Sequence, residues 1–214
     1  GDIDFYGGEY PLTLSNGKVY NGYLGVLHHG TPGFLLEGYF HTYQPARHRA
    51  LNKDYCYQQG VRLARGICKY FGLKPETKGY IMGTIKDMHA KMKNVLYQYA
   101  PGSNDQWVPI NGAKIHLLKN GAIVDTYQVD DFYNGVFVFK NLEPGDYTFM
   151  LEKDGYKPLE GDNTKPLTVK ANETSYVKLL AESTDYVPPT VTYYNYPEPA
   201  MTTYAAAPSV LKMG

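Results

Sequence analysis

Five turn dipeptides punctuate the middle of this chain: Asn111-Gly112, Asn120-Gly121, Asn134-Gly135, Pro144-Gly145 and Asp154-Gly155. Asn, Asp and Gly reach positive φ at little cost, and Pro fixes φ at the second position of a tight turn. Between these turns apolar residues recur with period two. Ile115 and Leu117 alternate with Lys114 and His116, and Tyr147, Phe149 and Leu151 alternate with Thr148, Met150 and Glu152. Leu167 with Val169, and Val177 with Leu179, continue the pattern. A two-residue period puts alternate side chains on opposite faces, so each segment reads as a half-buried strand. Short strands with turns at this spacing predict an antiparallel β-sandwich of about seven strands over residues 78–182. One long connection, Met88 to Val108, interrupts the rhythm and carries Trp107, the single tryptophan.

The flanking regions differ. Residues 1–77 read as part of an α/β domain, which makes the whole chain α+β and multidomain. Tyr23–Leu27 and Gly33–Glu37 are strand candidates, the second apolar up to its last residue, as in a strand covered on both faces. A short helix is expected over Pro45–Leu51. Asp54 is placed to cap a longer one. Behind it Cys56, Gly60, Leu63, Ala64, Ile67, Cys68 and Phe71 form one apolar stripe, Gly72 marks the C-terminal stop and Pro75 blocks continuation. Residues 183–214 hold Pro188, Pro189, Pro197, Pro199 and Pro208 among five tyrosines. They read as a linker or the start of a further domain. The chain reads as cut at both ends, with no secretory leader visible at Gly1.

Charge balances at 21 Lys+Arg against 21 Asp+Glu, so nothing points to a nucleic-acid surface. No apolar run approaches the roughly 20 residues of a membrane span. Cys56 and Cys68 are twelve residues apart on one expected helix. That separation is about 18 Å, too far for a disulfide, so both read as reduced and buried small hydrophobes.

Candidate chemistry concentrates around Glu37. His28, His29, His41 and His48 lie near it in sequence, and zinc favours such ligands. However, His28 and His29 are adjacent and point to opposite faces of an extended chain. His41 and His48 read as polar residues on loops. Glu37 ends an apolar strand, where a carboxylate can serve as general base or cap a helix.

The stretch Leu24-Gly25-Val26-Leu27-His28-His29-Gly30-Thr31-Pro32-Gly33-Phe34-Leu35-Leu36-Glu37-Gly38-Tyr39-Phe40, followed by the two expected helices, resembles the closing segment of the zinc-dependent N-acetylmuramoyl-L-alanine amidases. The resemblance implies that Glu37 is catalytic, taking a proton from the attacking water and passing it to the leaving amide nitrogen. It implies peptidoglycan as partner, a periplasmic, secreted or envelope location, and Zn2+ as cofactor. The family's zinc ligands, two His and a Glu, lie earlier in that domain and match no position here. Half of an α/β sheet would also leave apolar surface around Leu24–Leu27 and Phe34–Leu36 open to self-association.

Residues 79–180 resemble a carboxypeptidase regulatory-like, transthyretin-type sandwich, on the segments Gly79–Asp87, Pro109–Ile115, Phe137–Tyr147 and Gly155-Tyr156. This implies a non-catalytic accessory module. Trp107, Tyr97 and Tyr99 are candidates for stacking on sugars, and Asp130 and Asp131 for binding calcium. The same module follows the catalytic domain of zinc metallocarboxypeptidases, which gives Glu37 a rival role as base at a C-terminal peptide bond. A non-catalytic surface-binding module is the third reading.

Overall fold

The structure is a computed structural model and describes residues 11–13, 15–21, 36, 38–94, 98–188 and 190–197. Two compact units divide at Phe40 and His41. In the first, β1 (Pro11–Thr13) and β2 (Val19–Asn21) form an antiparallel hairpin with Leu12 opposite Tyr20. The strands expected at Tyr23–Leu27 and Gly33–Glu37 lie outside the described residues, apart from Leu36, which is 49% exposed.

The second unit opens with helices α1 (Gln44–Ala50) and α2 (Lys53–Tyr70). It continues through β3 (Gly79–Lys93), β4 (Trp107–Pro109), β5 (Lys114–Lys119), β6 (Ala122–Gln128), β7 (Val136–Leu142), β8 (Gly145–Glu152), β9 (Leu167–Val169), β10 (Thr174–Ala181) and β11 (Tyr193–Asn195). The sequence grouped the helices with residues 1–77, and here they share a unit with the strands.

The strands form a mostly β, two-sheet sandwich. One sheet has the order β6-β5-β8-β9 and is antiparallel throughout. The other is built on β3, with β10 and then β11 along one edge, and β7 and then β4 along the opposite edge. This sheet corrects the all-antiparallel expectation, because β10 and β11 both run parallel to β3. A parallel pair needs a long crossover. The six strands between β3 and β10 supply it, so β10 returns to lie beside β3.

The period-two pattern becomes the core. Ile81 and Ile85 of β3, Ile115 and Leu117 of β5, Phe137 and Phe139 of β7, Phe149 of β8 and Leu179 of β10 interlock between the sheets. Asn120 and Gly121 both take positive φ, 52° and 78°, at the tight β5–β6 turn, as the Asn-Gly pair predicts. Gly83 faces this core, where an added Cβ would lie 2.2 Å from the Phe137 ring.

The α2 termini follow local chemistry, with one correction. The cap is Asn52, whose Oδ1 accepts from the Tyr55 amide at 2.8 Å. Asp54 lies inside the first turn. At the other end the Leu73 amide reaches the Cys68 carbonyl at 2.8 Å and the Gly72 amide reaches Lys69 at 3.2 Å, with Gly72 at φ 65°. This is a Schellman closure at the glycine that the sequence marks.

The apolar stripe of α2 is not what packs on the sandwich. Gln58, 1% exposed, accepts from the Thr174 hydroxyl of β10. Arg65 donates to the same hydroxyl at 2.9 Å and lies over the Tyr80 ring of β3. Asp54 pairs with Lys140 of β7. The helix therefore crosses the outer face of β10-β3-β7 on its polar side. Ile67 and Phe71 of the stripe are 42% and 67% exposed. The expectation of two buried cysteines is corrected by the same geometry, since Cys56 is exposed and Cys68 half-buried, and both are free thiols.

Candidate functional site

Even-numbered residues in the first half of β3 face the helices, and one of them is a lysine. Lys86 is only 2% exposed. Its Nζ donates to the Asn104 carbonyl at 2.9 Å and lies 3.4 Å from Asp105 Oδ1. The same carboxylate accepts from Arg49 Nη1 of α1 at 2.7 Å and, through Oδ2, from the hydroxyl of Tyr43 at the start of α1 at 2.7 Å. Asn104 adds a bond from its side-chain amide to Thr84 Oγ1 at 2.9 Å. One carboxylate thus joins β3, α1 and the turn before β4.

The electrostatics follow from burial. Loss of hydration pushes the Lys86 ammonium down to about 8, although the Asp105 charge opposes the shift. Burial alone would push the Asp105 carboxyl up, but Arg49, Lys86 and the Tyr43 hydroxyl outweigh it and hold the group below the usual carboxylate range. A partly neutral amine is a nucleophile in principle. This one is walled in by its partners, and its work is to dock α1 on the sheet.

A second polar cluster lines a recess of about 330 Å3 at the corner between α1 and α2. Its walls are Leu51, Asn52, Lys53, Asp54, Tyr127, Gln128, Asp130 and Phe132. Asn52 Nδ2 donates to Asp130 at 2.7 Å, and the Tyr127 hydroxyl donates to Asp54 at 2.9 Å. Burial raises the Asp54 carboxyl, but the bonds from Lys140 and Tyr127 outweigh it and leave the group lowered. Asp130 also accepts from the Phe132 amide and from Asn134 Nδ2, both at 3.0 Å. The acids of this recess are therefore held in bonds that join the helix corner to β6, β7 and the loop between them.

Of the residues singled out in the sequence, Glu37, His28, His29 and Tyr97 lie outside the described residues. His41 is exposed in a turn. His48 departs from the loop expectation: it sits in α1, 8% exposed, with Nδ1 bonded to the Phe132 carbonyl at 2.7 Å and its ring 4.5 Å from that of Tyr196. Burial lowers its pKa below the usual histidine value. Tyr99 is half-buried, and Trp107 opens β4. Asp130 organises a loop through its bonds with Asn52, Phe132 and Asn134. Among the described residues no group of three or more His, Cys, Asp or Glu side chains is placed to hold a metal. Zn2+ therefore fits none of the described residues. No helix of the described residues is long and apolar enough to cross a membrane.

Sequence reasoning missed Lys86. The signal was present, since a lysine stands in the apolar run Tyr80–Ile85 continued on one face, but a strand lysine reads by default as solvated.

These features define a two-sheet β-sandwich with a helix laid on one sheet, its buried charges used as cross-links. No protein-family model matches the chain, and no curated protein does. Among solved structures, it is similar to BcpA, the major pilin subunit of Bacillus cereus, at 22% identity and TM-score 0.31, over 50% of this chain and 31% of that one. GBS52, the minor pilin of Streptococcus agalactiae, matches at 18% identity and TM-score 0.30, over 54% and 50% of the two chains. A DUF3823 family protein from Bacteroides uniformis matches at 16% identity and TM-score 0.28, over 50% and 43%. The chain thus spans half or less of each of these structures.

Proposed function

We propose that this chain is part of a cell-wall hydrolase of the cell envelope. In this reading Glu37 shuttles the proton at the amide bond between N-acetylmuramic acid and L-alanine, and residues 78–182 are a non-catalytic module beside it. The sequence order of an expected strand, Pro32, an apolar segment ending at Glu37, and then two helices supports the hydrolase part. The observation that carries the module's role is the bonding of its buried charges. Asp105 is tied to both Lys86 and Arg49, and Asp87 accepts from the amides of His89 and Ala90 and from the Tyr156 hydroxyl. Groups bonded in this way hold a scaffold together. The same bonding favours, as a second reading, a surface module that binds the wall without acting on it.

The test uses the complete parent protein on purified peptidoglycan. Glu37→Ala should lower release of stem peptides by orders of magnitude. The new amino terminus should be L-alanine. Near wild-type release from the variant, or liberation of single C-terminal amino acids instead, would sink the amidase reading, and the second outcome would favour the carboxypeptidase. The chain of 214 residues by itself should release nothing.

A further inference from the structure

The central strand β3 has 15 residues against 6 in β5 of the facing sheet. The core takes Ile81 and Ile85 from β3, both in its first half. The far end of β3 therefore projects past the region where the two sheets meet. There Lys91 is the direct partner of Trp107 on β4 and of Tyr193 on β11. Directly paired residues share a face of a sheet, so Trp107, Lys91 and Tyr193 form a row across three strands. The row spans two strand spacings, about 10 Å. Lys93 is two residues along β3, and its Nζ lies 5.6 Å from the Tyr193 ring centre, while Lys91 Nζ lies 5.2 Å from the Trp107 ring. A register shift between Lys86 and Lys91 separates this end from the first half of the strand, and Met92, which points to the opposite face from Lys91 and Lys93, is buried.

We infer that this row is a binding surface for an anionic glycan strand, with Trp107 and Tyr193 stacking on sugar rings and Lys91 and Lys93 pairing with carboxylates. Lys93 is exposed and Tyr193 is 56% exposed, while Trp107 and Lys91 are partly buried. Neither lysine has a carboxylate partner among the described residues. Each ammonium rests instead against an aromatic face, a weak contact at an exposed site. An arriving carboxylate draws the ammonium aside and frees the ring for the apolar face of a pyranose. Aromatic rings supply area with little loss of rotamer freedom, and the strands hold them at fixed spacing. The sparse charge selects the ligand class. Nucleic acid needs many phosphate contacts and a broad positive field, and a chain with balanced charge carrying two lysines here suits a polymer with one carboxylate every sugar or two.

The inference rests on the cell-wall reading only for the identity of the glycan, and it needs no catalysis. The test is calorimetric titration of the 214-residue chain with peptide-free strands of N-acetylglucosamine and N-acetylmuramic acid, whose lactyl groups carry the carboxylates. Chitin oligosaccharide, oligogalacturonate and an oligothymidylate are titrated alongside. The wall strands should bind about tenfold more tightly than chitin oligosaccharide, the equivalent of one or two weak charge contacts, and lose that margin in salt. The double variant Lys91→Ala, Lys93→Ala should bind both alike, and Tyr193→Ala should lose about tenfold on every glycan. Both variants should keep the wild-type unfolding midpoint to within a few degrees, since none of the altered side chains belongs to the buried core. Binding of oligogalacturonate without the wall strands would keep the surface and remove the cell-wall reading. Equal binding by wild type and variants, no binding to any glycan, or tighter binding of oligothymidylate would overturn the surface itself.

Discussion

The buried Lys86 makes the stability of this fold depend on alkaline pH in a way that one substitution can isolate. An unfolded lysine titrates at 10.5, and this one is pushed down to about 8 in the fold. Between those values the unfolded chain holds a proton that the folded chain has released. Stability therefore rises with pH across that window, and the penalty for a charged Lys86 is fully present below about 8. The span corresponds to about 3 kcal/mol at neutral pH, of which about 2.5 kcal/mol is relieved by pH 10. Lys86→Met removes the titration and leaves Asp105 paired to Arg49 and Tyr43. It also strips the Asn104 carbonyl of its donor, at a cost of roughly 1–3 kcal/mol, so the absolute change mixes two effects. Their pH dependence does not. Urea unfolding of both proteins from about pH 7 to about pH 10 should show wild type gaining about 2.5 kcal/mol on the variant. Curves that stay parallel would refute the reasoning, because they would mean that Lys86 is as well solvated folded as unfolded.

Other substitutions probe different parts of the same scaffold. Asp105→Ala leaves Lys86 and Arg49 buried without their counter-charge and should cost about 3–5 kcal/mol, read as a lowered denaturation midpoint. Gly83→Ala places a Cβ 2.2 Å from the Phe137 ring and 2.7 Å from Val177, so overpacking should cost about 1–3 kcal/mol or more; an unchanged thermal midpoint would contradict the close approach of β3 and β7. His48 is held neutral by burial. The unfolded state takes up its proton first as pH falls below about 6.5, so stability should decline there, and His48→Asn should flatten that limb of the acid unfolding curve.

Much of the sandwich is legible in the sequence because its signals are local. Asn120-Gly121 sets a hairpin wherever two alternating strands flank it, and the apolar phase of Ile115, Leu117, Tyr147, Phe149 and Leu151 assigns the core face without reference to any partner. The candidate site is less legible. Trp107, Lys91 and Tyr193 are far apart in the chain, and only strand pairing puts them in one row. His48 looks like one of a cluster of polar residues until the Phe132 carbonyl and the Tyr196 ring meet it.

What the sequence by itself determined is where the chain turns, which residues alternate and where α2 stops, since each depends on the conformational preferences of a few neighbouring residues. The tertiary structure alone decided that β10 lies parallel to β3, that Lys86 is buried against Asp105, and that α2 meets the sandwich with Gln58 and Arg65 while Ile67 and Phe71 face away. A periodic pattern shows that a helix has two unlike faces. It carries no information about which neighbour each face will meet, because the energies that decide this, burial and charge pairing, come from residues distant in sequence.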